Sequence, residues 1–294
     1  MIMGQQALNG LFVGSIYALF AVGYTLVFGV LDILNLAHAA IFMLAAFAAL
    51  FLVETAHLPL WLAVALGSLL AGLLGLLLER VAFRPLRGRS DSNISGLISS
   101  LAMATVFEAI ALQLFGPDTS RFPFGTVTDR RVRLSGASAS VLDLAVVAIA
   151  VVLMALLTFL LARTRIGRQI RAVAESPRAA RIVGVDVDRV IAATFFLSSA
   201  LGGAAGVLFA LAFNSIAPDV GRSVELKGLA VIILGGMGSI TGAVIAGFAL
   251  GLIEVFTVAQ FGSSYRDVVS FAVLFLVLLL RPRGLLGAAA AREA

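Results

Sequence analysis

Seven long apolar runs, with a further apolar stretch at 227–256, are what most restrict the folds open to this chain. The seven cover residues 7–30, 33–53, 58–78, 93–115, 141–162, 190–212 and 267–280. As a helix the fifth of these reaches about 33 Å, enough to cross the hydrocarbon core of a bilayer. The chain is 61% hydrophobic and only 13% charged over 294 residues, with a mean hydropathy of +1.09. A soluble domain of this length could not hide so much apolar surface. The expected fold is therefore an all-α polytopic membrane protein of about 8–10 transmembrane helices, broken or re-entrant segments included. We read residues 1–294 as one transmembrane domain. The opening MIMGQQALNG lacks a basic n-region, so the first run is expected to stay as an anchor.

The basic residues follow the runs. Arg80, Arg84, Arg87 and Arg89 come after the third. Arg163, Arg165, Arg168, Arg171, Arg178, Arg181 and Arg189 follow the fifth, and Arg281, Arg283 and Arg292 the last. With these three regions in the cytoplasm, 14 of the 20 arginines lie inside, as the positive-inside rule expects. The segment 116–140, with four arginines against two aspartates, falls outside and is the exception. The pI near 10.6 thus reflects topology, and no nucleic-acid partner is expected.

The polar island 163–189 contains one small, well-defined helix. Ser176 suits an N-cap, Pro177 the first turn, and Gly184 a left-handed close. Such an element cannot bury itself in lipid, so it is expected to be gripped by another protein.

Parity decides residues 227–256. With 163–189 and 281–294 on one side, this stretch must cross twice or re-enter. Gly235, Gly236, Gly238 and Gly242 weaken a helix in series, so two short half-helices joined by a glycine turn are expected. The plainer alternative is one kinked helix. Broken helices often mark a transport path. Four G-x-x-x-G pairs, Gly10/Gly14, Gly202/Gly206, Gly238/Gly242 and Gly247/Gly251, point to close helix packing.

Polar side chains at membrane depth either pair or serve a path. Asn35 and His38 would share a helix face, as part of a translocation route or as interhelical hydrogen bonds. Glu108 and Glu254 lie near or within spans with no obvious basic partner in sequence; they serve a proton relay or sit at an interface. No GxxxxGK[ST] loop, nucleophile elbow or H-E-x-x-H motif occurs. Cysteine is absent and histidine occurs twice. No catalytic residue, metal site or cofactor of the chain's own is expected, which points away from an enzyme.

Five stretches carry a resemblance to a known family: LNGLFVGSIYALFAVGYTLVFGVLDILNLAHAAIFML (8–44), ERVAFRPLR (79–87), 163–190, LGGMGSITGAVIAGFALGLIE (234–254) and LLLRPRGLLG (278–287). In order and spacing the chain resembles the LivH-type permease subunit of bacterial branched-chain amino-acid ABC importers. It departs from that pattern at Ala39, where glycine is usual, and at Asp32, where a small or apolar residue is expected. The resemblance implies a type II importer-like permease in the inner membrane, with the 163–189 loop and the C-terminus cytoplasmic. Glu175, Ser176, Pro177, Arg178, Ala179, Ala180, Arg181 and Gly184 would form the helix that docks on an ATP-binding subunit. Asn35, His38, Gly235, Gly236, Gly238 and Gly242 are candidates for the pathway or gate. A related second permease, two ATP-binding subunits that hold the ATP, and a periplasmic substrate-binding protein would be partners. Leucine, isoleucine and valine are the implied cargo, with urea or short amides as the alternative. A secondary transporter working through Glu108 or Glu254, and a passive channel, are the rivals from other classes.

Overall fold

The computed structural model describes residues 2–87, 92–123, 131–134 and 137–287. Arg89 and Arg292, counted above among the basic clusters, lie outside them. The helices are α1 (Ile2–Leu31), α2 (His38–Glu54), α3 (Leu60–Leu78), α4 (Ser92–Phe115), α5 (Val141–Arg163), α6 (Arg165–Glu175), α7 (Pro177–Ile182), α8 (Val187–Phe213), α9 (Val220–Gly235), α10 (Ile240–Phe261) and α11 (Arg266–Leu280). One antiparallel hairpin, β1 (Arg131–Leu134) with β2 (Ala137–Ser140), lies in the long segment before α5. Among the described residues, seven helices are long and apolar enough to cross a membrane. The chain is a multi-pass membrane protein.

Burial sorts the helices into two layers. α1 and α8 are mostly buried, while α3, α4, α5 and α11 keep apolar faces such as Leu73, Leu101, Val152 and Leu279 exposed, as a lipid-facing ring must. Close backbone approach holds the inner layer together. α1 runs antiparallel to α10, with Gly10 and Gly14 against Leu252 and Phe248, and Gly247 and Gly251 against Ala18 and Gly14. Two of the four glycine pairs therefore interlock with each other. A third, Gly202/Gly206, admits His38 and Phe42 of α2 against α8. Packing of this kind, with van der Waals contact replacing the hydrophobic effect, is what small residues provide in a bilayer.

Three expectations are corrected. Asn35 and His38 do not share a helix face, because α1 ends at Leu31 and α2 begins only at His38. Asp32 takes a left-handed conformation (φ +53°) at that break, which Asp tolerates better than bulkier residues. That is a local reason for the departure noted above. The 227–256 region is not two half-helices. It breaks after Gly235 as the glycines suggest, into a 16-residue α9 and a 22-residue α10, the second long enough to cross alone. The polar island holds two helices rather than one, α6 preceding α7 with Ile170 and Val173 buried.

Candidate functional site

At one end of the bundle, α7 stands out from the body of the protein. The Ser176 side chain accepts a hydrogen bond from the Ala179 amide at 3.2 Å, and Pro177 occupies the first turn. Gly184 closes the helix at φ +84°, its amide donating to the Arg181 carbonyl at 3.0 Å. Only Ala180 of α7 is buried. Arg178, Ala179 and Arg181 are exposed. Ile182 and Val183 are 86% and 75% exposed, an aliphatic pair on an otherwise basic element. Sequence reading missed both; their signal was an apolar pair inside the polar island. Behind α7 lies a cavity of about 340 Å³ that Pro177 and Arg181 share with Leu31, Phe83 and Arg87.

A chain of charges ties the start of α8, which follows α7, to the end of α3. Glu79, which opens a π-helical turn (Glu79–Phe83) at the end of α3, is buried and paired with Arg87. Arg87 also bonds Asp188 at 2.9 Å, and Asp188 sits in the first turn of α8, just past α7. α7 is thus joined covalently to α8, and the start of α8 is tied through Arg87 to the end of α3.

The second element is the break between α1 and α2. Its backbone is satisfied from α4: the Leu36 amide donates to Ser100 Oγ at 3.2 Å. Asn35 Oδ1 accepts from the Ala37 amide at 3.2 Å. His38 is fully buried, its ring 4.9 Å from that of Phe20 and 5.4 Å from that of Tyr24, with Gly202 of α8 beneath it. Asn35 Nδ2 has no hydrogen-bond partner, and the His38 ring faces the Phe20 backbone of α1. Irregular backbone at membrane depth is tolerated only where protein or a wet cavity surrounds it.

The glycine turn after α9 lies at the α6 side. Gly238 and Ile240 share a cavity with Gly29, Ile170 and Arg171. Gly235 abuts Gly242, and Gly236 at φ +100° lies against Gly287. The Leu285 and Leu286 amides donate to the carbonyls of Leu234 and Gly235 at 2.8 and 3.0 Å. The turn and residues 284–287 form one packed unit.

Toward the opposite end, acidic residues that seemed unpartnered in sequence are paired. Arg222 of α9 grips Glu108 of α4 through two nitrogens, at 3.2 and 2.7 Å. Glu254 of α10 is wholly buried, and its Oε1 accepts from Tyr17 at 3.1 Å and from Lys227 at 2.9 Å, with Arg266 Nε 2.7 Å away. Lys227 also stands 3.3 Å from Asp267. The paired residues lie on five different helices, so sequence proximity gave no sign of them.

Comparison with known proteins assigns the family. Residues 6–278 match the model described as branched-chain amino acid transport system, permease component. The chain is 33% identical to the high-affinity branched-chain amino acid transport system permease protein BraD of Pseudomonas aeruginosa, over 96% of this chain and 95% of that one. It is 35% identical to the corresponding LivH protein of Escherichia coli, over 96% and 95%, and 34% identical to that of Salmonella typhimurium, with the same coverage. No solved structure matches it. A match that runs from α1 into α11, with relatives aligned over nearly their whole length, places this chain in the family of branched-chain amino acid transport system permease components.

Proposed function

We propose that this chain is the membrane-spanning subunit of an ATP-driven importer that carries leucine, isoleucine and valine into the cell. As a permease it has a transport role, not a catalytic one. ATP is held by two partner subunits on the cytoplasmic side, substrate is delivered by a binding protein outside, and a related second permease completes the membrane portion. The inner membrane is its location, with 163–189 and the C-terminus cytoplasmic; the basic clusters at the α7 end support that orientation.

The observation that carries this reading is α7 itself, capped at both ends, barely buried, and tipped by exposed Ile182 and Val183. On this reading Glu175 through Arg181, with Gly184, seat in a groove of the ATP-binding subunit. Arg178 and Arg181 meet acidic groups there, and the two aliphatic side chains anchor the seat. When ATP closes the nucleotide-binding pair, α7 is pushed toward the cavity behind it. The movement passes through α8 and the Arg87 link to the core helices. Asn35 and His38, at the break in the inner layer, are where the pathway opens or shuts. The glycine turn, packed on residues 284–287, serves as a fixed edge of that movement.

The test is uptake of labelled leucine into sealed vesicles holding this chain, its sister permease, the ATPases and the binding protein. ATP-dependent accumulation that isoleucine and valine block is the expected result. Uptake that survives removal of the ATPases and collapses with the proton gradient would overturn the coupling role of α7. ATP-dependent uptake of urea or acetamide in place of leucine would overturn the cargo alone.

A further inference from the structure

The charged cluster around Glu254 is more than a set of buried ion pairs, because three of its members line a cavity of about 350 Å³. Tyr17, Lys227 and Arg266 share that lining with Phe209, Phe213 and Val224. That volume lies at the small end of the range for ligand sites, about 300–1,000 Å³. Side-chain exposure places the cations in front: Arg266 is 38% exposed and Lys227 12%, whereas Glu254 is 0% exposed. The cavity lies toward the end of the bundle away from α7, between the last residue of α8 and the first of α11.

The hydrogen bonding is lopsided. Tyr17 and Lys227 donate to Oε1 of Glu254 and Arg266 is ion-paired with it, while its buried Oε2 has no partner. A buried carboxylate oxygen left without a donor is costly, and all the contacts crowd onto the other oxygen. The charges of Lys227 and Arg266 are matched by those of Glu254 and Asp267. A neutral guest with one positive and one negative end can enter without changing that balance.

We propose that this cavity binds a free α-amino acid as its zwitterion, with an aliphatic side chain laid against the phenylalanines. The carboxylate takes the remaining donors of Lys227 and Arg266, which keep their contact with the buried Glu254. The ammonium group pairs with Asp267, which is exposed beside Lys227. Phe209, Phe213 and Val224 accept a branched side chain. The site rests on the amino-acid importer reading above and gives it a place where cargo waits between delivery and the pathway.

The absence of cysteine from the chain allows a direct test. Ser223 is exposed and lines the cavity, so Ser223→Cys in the assembled transporter, reconstituted in liposomes, offers a single thiol on this chain. The measurement is its labelling rate by a membrane-impermeant maleimide, with and without leucine and without ATP. Leucine is expected to slow labelling, and urea at equal concentration is not. Adding Lys227→Gln should raise the leucine concentration needed for half-protection about tenfold, the loss of one charge-assisted hydrogen bond. Lys227→Arg should keep protection near that of the parent. A thiol that labels equally fast with leucine overturns the site, and so does one that never labels, since cargo could not then reach it. Leucine uptake by the unaltered transporter, measured in parallel, reports on the importer reading separately: uptake without protection defeats this site and leaves that reading standing.

Discussion

Arg87 joins two acidic side chains that are far apart in sequence, Glu79 and Asp188. It neutralises Glu79, whose side chain is 2% exposed. Arg87→Ala leaves a buried carboxylate without its cation, a defect that costs roughly 3–5 kcal/mol. Thermal unfolding of the purified subunit should show the loss, and adding Glu79→Gln should recover a large part of it by removing the stranded charge. Equal melting of the single and double variants would mean that the pair does not couple. Close packing is tested at Gly206, where a Cβ would fall on the Phe42 carbonyl. Gly206→Ala must push α8 and α2 apart, and overpacking of that kind costs about 1–3 kcal/mol. Gly4→Ala, where a Cβ meets nothing within 4 Å, is the neutral comparison in the same melting experiment. Neither site was fully legible in the sequence. The G-x-x-x-G spacing pointed to Gly206, but nothing near Glu79 announced Arg87 as its partner over Arg80 or Arg84, because the π-helical turn and the 3-10 turn after it (Arg84–Leu86) decide which arginine swings back.

The elements were easier to read than their contacts. α7 follows from local chemistry alone: an N-cap hydroxyl, a proline that needs no amide partner, and a glycine that takes positive φ. The spans follow from apolar length. What the sequence hid was the depth at which helices begin. The apolar run 33–53 gives no hint that residues 33–37 lie outside any helix, since Asn35, Leu36 and Ala37 would fit one as well. The interruption exists because Ser100 and Asn35 supply hydrogen bonds to that backbone. The pairs Lys227–Glu254 and Arg222–Glu108 were equally hidden, being products of tertiary packing. At the scale of the element, the prediction concerns α7. Ser176→Ala removes a cap worth about 1 kcal/mol, and Gly184→Pro removes both the left-handed residue and the amide that bonds the Arg181 carbonyl. Each should lower ATP-driven uptake while the subunit still inserts and melts close to the parent, with Gly184→Pro the more severe. Ile182→Ser should weaken recovery of the ATP-binding subunit with the purified permease. Full recovery with Ile182→Ser would show that the exposed aliphatic pair is not the seat.

At the scale of the whole molecule, direction matters more than contact. α1 and α10 are antiparallel and α8 leads away from α7, so the chain's early residues and the α10–α11 connection share one end of the bundle while α6 and α7 hold the other. Gln5 at the first end bonds both main-chain groups of Ser138, its Oε1 taking the amide at 2.8 Å and its Nε2 the carbonyl at 2.9 Å. Ser120 and Ile216 exchange amide–carbonyl bonds of 2.8 and 2.9 Å as well, so the stretch after α4 is tied to the α8–α9 connection and β2 to the start of α1. Arginines dominate the α7 end, and positively charged loops resist translocation; that end should face the cytoplasm even though 116–140 carries arginines too. Because the chain lacks cysteine, single thiols can report the arrangement without background. Gly4→Cys and Ser263→Cys should react with an impermeant maleimide in intact cells, whereas Ile182→Cys should react only once the membrane is opened. Reaction of Ile182→Cys from outside would invert the molecule. An inverted molecule would turn the zwitterion cavity toward the ATPases and leave α7 with nothing to dock on, so one labelling gel decides whether the two ends of this protein have been given the right work.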